Sequence, residues 1–448
     1  MAQGGGVVMD AAIVLFALTA TLLPIWIGGR YGVLPMASPM HLLGYFCAFG
    51  FLVKAVVYPI YPDWAFYRRF VETPDAAVPG AIYLTLFVLG LCLGYRLAVG
   101  GKAVPPGVGL ARVAAKGLAR REALFVLAFG VAAMTFVGLL RARGISGLSP
   151  DLLERLNTDK QIAVSANGIG ATLAGLKTFF IVPKCAFVLL LGYGLAAGDR
   201  LALWQSMILA GLLVLVALVS GDRFELVELL AYAGLTYLIL GGPIRTRTVL
   251  LALSGGVVVL LLSSYMTALR GSDAGLLHQI VGSTYFLDVN AAIMVSAQLL
   301  PHQILWGESY TWWSFGWVPR AWWAEKPAID LGVYFKRDVM GVATGGAFNV
   351  TGPGEAFINF GWWGLAVSPV MGAVYRRLEV VLLSPASLLC GGAVIYPLIF
   401  YPFIQATLQS SFSAFIVGAT AQLVLVWAMI LVFLPRYRAV RRGAGYAV

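Results

Sequence analysis

The sequence predicts an all-α fold, a polytopic membrane helix bundle of about eleven transmembrane helices, with a large external loop forming a cap. Three observations predict it. Of 448 residues, 60% are hydrophobic and only 11% are charged, whereas a soluble domain carries about 25% charged residues. Apolar runs of membrane-spanning length recur along the chain, and Lys and Arg gather in short connections between them. Lipid is therefore the predicted solvent of most of the surface.

The spans are placed by length, because a membrane-spanning helix requires about 20 mainly apolar residues. The predicted spans lie near 8–28, 40–60, 79–97, 122–140, 173–197, 201–220, 224–241, 248–268, 354–375, 385–404 and 411–434. The apolar stretch 281–300 contains Asp288, Asn290 and Gln298. It is predicted to be an external helix, surface-lying or re-entrant, and a further span is the alternative.

The chain accordingly divides into three parts. Residues 1–268 form the first eight transmembrane helices with short loops, 269–353 form a large periplasmic loop, and 354–448 form the C-terminal transmembrane helices and a basic cytoplasmic tail. The six tryptophans of the large loop favour a folded cap at the membrane interface, where Trp is enriched. They are Trp306, Trp312, Trp313, Trp317, Trp322 and Trp323.

Orientation follows from Lys and Arg in short loops, which favour the cytoplasmic side. With the predicted spans, four basic groups fall on one side of the membrane: Lys102, Arg112, Lys116, Arg120 and Arg121; Arg245 and Arg247; Arg376 and Arg377; and Arg436, Arg438, Arg441 and Arg442. That side is predicted to be the cytoplasm of a bacterial inner membrane. The longer segments 61–78, 141–172 and 269–353 then face the periplasm.

The outer segments nevertheless carry many cations, against the usual bias. One interpretation is pairing with neighbouring acids. The other is convergence on a polyanion at the outer leaflet, which suits Arg because its planar fork binds phosphate oxygens bidentately.

Four short segments make this second interpretation specific. Arg223 lies in SGDRFELVELL between two spans, and Arg270 ends a span in YMTALRGSD. Arg320 and Lys326 lie beside prolines in VPRAWWAEKP, and Glu355 follows Gly-Pro-Gly in FNVTGPGEAFINFGWWG. The alternatives are an Asp222–Arg223 surface pair, a snorkelling Arg270, solvated cations in an aromatic belt, and a carboxylate stabilised by a helix N-terminus.

These segments resemble the oligosaccharide repeat unit polymerases, the Wzy-type O-antigen polymerase group. The shared features are the small-residue/Arg turn, the Pro-Arg followed by Lys-Pro in the large outer loop, and the Gly-rich stretch leading into Glu, Asn, Phe and Gly. The resemblance covers roughly 220–365, and Asp222 departs from the pattern because a small or hydroxyl residue is expected there.

The resemblance implies an enzyme that transfers a growing glycan from undecaprenyl diphosphate to the sugar end of another lipid-linked repeat unit. It implies Arg223, Arg270, Arg320 and Lys326 as diphosphate ligands. Glu355 is the first choice for the catalytic base and Asp288 the second. Trp317, Trp322 and Trp323 are candidates for stacking against sugars. No cofactor or metal is predicted, and the expected partners are the lipid-linked oligosaccharide, the bilayer and a chain-length regulator protein, with no nucleic acid.

Two other functions remain open from the sequence. An O-antigen ligase or another polyprenyl-phosphate-dependent glycosyltransferase would bind similar lipids, and His278 and His302 are available in the large loop. A transporter or flippase of lipid-linked oligosaccharide is the alternative from a different class, although such proteins tend to show internal repeats and none is evident in this sequence.

Overall fold

The computed structural model describes residues 3–71, 74–100, 107–142, 179–220, 223–268, 276–282, 286–318, 322–323, 325–342 and 347–434. Within these ranges every regular element is a helix, which confirms the all-α prediction. The helices of ten or more residues are α1 (Gln3–Tyr31), α2 (Pro39–Val57), α3 (Ala77–Leu97), α4 (Arg121–Ala142), α5 (Ile181–Ala197), α6 (Arg200–Ser220), α7 (Arg223–Ile239), α8 (Thr246–Ala268), α9 (Val289–Gln298), α10 (Thr351–Phe360), α11 (Val367–Leu382) and α12 (Phe412–Phe433).

Shorter helical pieces connect them. α-Helical pieces are Val108–Ala115, Leu276–Val281, Trp313–Gly316, Leu331–Tyr334, Pro385–Leu389, Gly392–Ile395 and Tyr401–Gln409. 3₁₀ turns are Pro62–Trp64, Phe66–Arg69, Pro74–Ala76, Pro301–Gln303, Glu308–Thr311 and Gly361–Ala366. π-Helical turns occur at Ala48–Leu52 inside α2, at Phe335–Val339 and at Tyr396–Phe400.

Among the described residues, eight helices are long and apolar enough to cross a membrane. They are α1, α2, α3, α4, α6, α8, the combined stretch Thr351–Leu382 and α12. This set is compatible with a multi-pass membrane protein and a helical membrane bundle.

The predicted number of eleven spans is not confirmed. The predicted spans 173–197 and 224–241 correspond to α5 and α7, each of 17 residues. The predicted span 385–404 is broken into several short helices. Gly391, at φ 87°, ends the first of them, because a left-handed residue cannot continue a helix. The apolar composition of 385–404 therefore predicted one continuous helix where the structure has several short ones.

The stretch 281–300 contains the buried helix α9. Every residue from Val289 to Val295 is buried, so the surface-lying placement does not fit, whereas a re-entrant placement does. Ten residues of helix extend about 15 Å, half the thickness of a hydrocarbon core.

Contacts divide the chain into two compact units. The first comprises 1–105, 275–381 and 401–420. In it α1 packs against α2 and α3, and α9 packs against α3 and α10. Gly80 of α3 makes the α9 contact close, since a Cβ there would lie 2.6 Å from the Cα of Ile293. Small residues permit such backbone approach between membrane helices.

The second unit comprises 106–274, 382–400 and 421–448. Helix α5 packs against α4, α6 and α7, and α8 contacts α7. Within the most apolar stretch of α8, no residue is buried by protein. A helix that is apolar all round and uncovered by protein is stable only in lipid, so α8 supports the membrane assignment.

Candidate functional site

The predicted arginine pocket lies largely outside the described part of the chain. Arg270 and Arg320 are outside the described residues, and Arg223 is described only as the first backbone residue of α7. The convergence of these three side chains on one pocket therefore stays a prediction. The geometry below concerns Glu355, Asp288, Lys326 and the tryptophans.

Glu355 is buried in the first turns of α10, with 2% of its surface exposed. Its Oε1 accepts a hydrogen bond from Ser309 Oγ at 3.0 Å, and its Oε2 accepts one from the backbone amide of Phe412 at 2.8 Å. Gly352 of the same motif allows close packing, since a Cβ there would lie 1.9 Å from the carbonyl oxygen of Thr407. No described Lys or Arg forms an ion pair with Glu355.

The bonds of Ser309 fix the outer segment 305–318 on α10. The Asn359 amide donates to Ser309 Oγ at 2.7 Å, and Ser413 Oγ donates to the Ser309 carbonyl at 2.5 Å. The Leu305 amide donates to the carbonyl of Ile358 at 3.1 Å. Glu355 therefore joins the aromatic part of the large loop to the Gly-Pro-Gly-Glu motif, a contact that sequence spacing does not reveal.

Lys326 bonds to the same outer segment. Its Nζ donates to the carbonyls of Gly316 and Val318 at 2.7 and 3.0 Å. The three tryptophans proposed for sugar stacking present much of their surface, with exposed fractions of 45% for Trp317, 84% for Trp322 and 39% for Trp323. The three indole rings are thus accessible, and they lie close in sequence to Lys326 and to the carbonyls that it bonds.

Asp288, the second candidate base, caps the N-terminus of α9 and is fully buried. Its Oδ1 accepts from Lys54 Nζ at 2.6 Å, from the Asn290 amide at 3.0 Å and from Asn290 Nδ2 at 2.9 Å. Its Oδ2 is buried and has no hydrogen-bond partner among the described residues. Burial raises the pKa of the Asp288 carboxyl, and the attraction of Lys54 opposes this rise.

A small cavity adjoins this ion pair. Its volume is about 10 Å³, roughly the room needed by one water molecule. Asp288 and Asn290 line it together with Phe66, Phe335 and Phe348. The Phe66 and Phe348 rings meet edge to face at 5.9 Å.

Cations lie over two of these rings. The guanidinium of Arg69 is 5.5 Å from the centre of the Phe66 ring, and Lys336 Nζ is 5.4 Å from that of Phe348. Both cations belong to the predicted outer segments. Two aromatic rings of the cavity lining, Phe66 and Phe348, thus each have a cation over the ring, and this pair of rings is called the aromatic rim.

In the second unit, the α7 motif is bound to a lysine that the sequence analysis did not single out. Lys184 Nζ donates to Glu228 Oε2 at 2.7 Å, and Tyr232 donates to the same oxygen at 3.1 Å. Lys184 and Glu225 line a further cavity of about 10 Å³. Lys184 of α5 thus binds one acid of this motif, Glu228, and shares a small cavity with a second one, Glu225.

A second buried charge network also escaped the sequence analysis. Arg376 Nη1 donates to Glu379 Oε2 at 2.9 Å, and Tyr95 donates to the same oxygen. The Val33 amide donates to Glu379 Oε1 at 3.0 Å. Arg376 was predicted to lie in a cytoplasmic basic loop, but it is buried within α11. Of that basic pair only Arg377 is exposed.

Among the described residues, no group of three or more His, Cys, Asp or Glu side chains is placed to hold a metal ion. The comparisons with known proteins add no relative, because no family model, curated protein or solved structure matches the chain. The site and the helical membrane architecture are therefore the basis for the function.

Proposed function

We propose that the protein is a polysaccharide polymerase of the bacterial inner membrane. It transfers a glycan from undecaprenyl diphosphate to the sugar end of another lipid-linked repeat unit at the periplasmic face. The observation that carries the proposal is the docking of the outer aromatic segment 305–318 on Glu355. It holds the residues that directly precede VPRAWWAEKP against the Gly-Pro-Gly-Glu motif, and both of these motifs belong to the resemblance to this polymerase class.

The reaction requires stabilisation of negative charge. The bond between C1 of the donor sugar and the diphosphate oxygen breaks, and the acceptor hydroxyl oxygen forms the new bond to C1. The leaving diphosphate gains charge as the bond breaks. Fixed cations in a site of low dielectric constant stabilise that charge strongly. In this proposal Arg223, Arg270 and Arg320 bind the diphosphate, and Lys326 supports them.

The acceptor hydroxyl proton requires a base within hydrogen-bond reach. Both oxygens of Glu355 already accept protein hydrogen bonds. Proton acceptance by Glu355 therefore requires Ser309 to turn away when the acceptor arrives, and until then Glu355 positions the outer segment. Trp317, Trp322 and Trp323 offer accessible faces for the sugars, since aromatic rings bury apolar sugar faces while leaving hydroxyls solvated.

The decisive experiment is polymerisation in vitro with a defined lipid-linked repeat unit and the purified full-length protein. We expect Arg270→Ala and Arg320→Ala to slow transfer by about 100- to 1,000-fold, as loss of one charge-stabilising donor does. The matched control is Arg337→Ala, because Arg337 belongs to the same predicted loop, 269–353, but is exposed and pairs with its neighbour Asp338. Wild-type polymer length in both arginine variants contradicts the diphosphate assignment.

Glu355→Gln tests the base. We expect loss of transfer with retained assembly in the membrane, since the amide keeps the shape of the side chain. Glu308→Gln is the control, because Glu308 is an exposed acid of the same segment. Retained transfer by Glu355→Gln removes Glu355 as the base and leaves it as a positioning residue.

A transporter or flippase of the same lipid-linked sugar is the second candidate. The observation that favours it is the fully buried Lys54–Asp288 pair, with Lys54 on a spanning helix, since ionisable groups at membrane depth mark transport and proton pathways. Movement of a lipid-linked glycan across proteoliposomes without chain growth would favour this function over the polymerase.

A further inference from the structure

Among the residues that the structure describes, the first unit buries three carboxylates, and they differ in how they are satisfied. Both oxygens of Glu355 accept hydrogen bonds, and so do both oxygens of Glu379. Asp288 receives three donors on Oδ1, whereas its buried Oδ2 receives none from the described residues. A buried acceptor without a partner is costly, so native proteins retain it where it has a use.

Next to Asp288 there is room for a water molecule that could bond its Oδ2. Asp288 lines the cavity of about 10 Å³ described above, which matches one water molecule. Phe66 and Phe348 also line this cavity, and both rings are only half-buried. The cavity is thus shared by the fully buried Asp288 and by two rings that are partly exposed.

The charged and titratable groups around Asp288 come from several elements. Lys54 and Tyr58 face it from α2 and from the residues after α2, and Asn290 bonds both the Asp288 carboxylate and the Tyr58 hydroxyl. Tyr67 and Arg69 belong to the 3₁₀ turn packed against α9, Lys336 belongs to the turn that carries Phe335, and Glu355 belongs to α10. Lys54 is the cation in direct contact.

We propose that Asp288, Lys54 and this cavity form a proton-binding site that is reached through water from the side of the aromatic rim. A proton that arrives from the solvent through water in the cavity binds Asp288 Oδ2 and forms the O–H bond, while Lys54 keeps its three protons. The net charge of the pair changes from zero to plus one. The site goes beyond the proposed function and does not depend on which reaction the protein performs.

Proton binding would loosen one contact between α2 and the start of α9. The ion pair becomes a hydrogen bond between an ammonium and a neutral carboxyl, which is the weaker interaction. Lys54 lies two residues after the π-helical turn Ala48–Leu52, and such turns often occur at functional sites. Protonation of Asp288 therefore weakens a contact of α2 close to the turn at which this helix departs from regular α-helical geometry.

The test is infrared spectroscopy of the purified full-length protein in lipid nanodiscs, titrated from acid to alkaline pH. We expect a carbonyl band of a protonated, buried carboxyl that disappears as the pH rises and is lost in Asp288→Asn. In Lys54→Met the band should persist to higher pH, because loss of the cation raises the pKa of Asp288. If Asp288→Asn does not assemble, Asp288→Glu is used, since a shifted band frequency assigns the group equally well.

The matched control is the double variant Arg376→Met/Glu379→Gln, which removes the other buried ion pair of this unit. We expect it to keep the band, because Glu379 has both oxygens occupied. The proposal is overturned if the wild type shows no titrating buried carboxyl, or if the band survives in Asp288→Asn. Loss of the band only in the control variant also overturns it. None of these readouts depends on glycan transfer, so failure here and failure of the polymerase assay are distinguishable.

Discussion

Glu379→Gln is predicted to destabilise the first unit strongly. Arg376 is 2% exposed and pairs with Glu379 at 2.9 Å. The Gln side chain has nearly the same shape but no charge, so the buried Arg376 loses its ion pair with Glu379. Removing one partner of a buried ion pair costs about 3–5 kcal/mol. The Tyr95 ring, 5.1 Å from the guanidinium carbon, recovers only part of this, because a cation–π contact contributes about 0.5–2 kcal/mol.

The assay is a double-mutant cycle measured by reversible unfolding in bicelles. The variants are Glu379→Gln, Arg376→Met and the combination of both. We expect the combination to be more stable than Glu379→Gln, since replacing both charges of a buried pair is often neutral or stabilising. A coupling free energy near zero, or a loss below about 0.5 kcal/mol in Glu379→Gln, refutes the reasoning, because surface substitutions away from such features give that value.

Three further predictions concern other contacts. Ser309→Ala removes the hydroxyl that joins the outer segment to α10, so we expect a loss of about 1–3 kcal/mol and faster limited proteolysis of the segment; unchanged proteolysis would show that the segment is held elsewhere. Gly372→Ala places a Cβ 2.0 Å from the carbonyl oxygen of Leu91 and should lower the melting temperature. Gly130→Ala, which meets no atom within 4 Å, should raise stability by about 0.5–1 kcal/mol; equal effects of the two substitutions would contradict the close approach of α11 to α3 at Gly372. Burial raises the pKa of the Asp330 carboxyl, against the hydrogen bond from a backbone amide two residues later. Because the folded pKa lies above the unfolded one, protonation of Asp330 favours the folded state. This contribution to the free energy of unfolding is present at low pH and is lost as the pH rises through the folded pKa. The melting temperature should therefore fall less with rising pH in Asp330→Asn than in the wild type. An identical dependence of the melting temperature on pH in both proteins would disprove this role of Asp330.

The helical membrane character was predictable because it depends on composition and on apolar length. The predicted spans 79–97, 122–140 and 201–220 match α3, α4 and α6 closely. Each of these is a continuous apolar run bounded by polar or charged residues, so its ends are visible in the sequence. The breaks between 385 and 409 were not visible, because Pro and Gly occur inside membrane helices as well as at their ends.

The site was predictable only where its residues are close in sequence. Glu355 was singled out from the Gly-Pro-Gly that precedes it, but its partners Ser309 and Phe412 are 46 and 57 residues away. Lys54 carried a usable signal, since it interrupts the apolar run FGFLVKAVVYP and a lone charge in a span requires a partner. Its partner Asp288 is 234 residues distant, and single-sequence reasoning cannot make that pairing.

The shortness of α9 has a consequence for how the chain is made. A segment of ten helical residues that begins with a carboxylate and an amide cannot partition into the bilayer from the translocon as a free-standing span. Helix α9 reaches its position only by packing against neighbouring helices that have already been synthesised. One neighbour, α3, is synthesised long before it, and the other, α10, emerges more than 50 residues later. The contact between α9 and α10 can therefore form only after α10 has been synthesised, so the packing of α9 is completed late in synthesis.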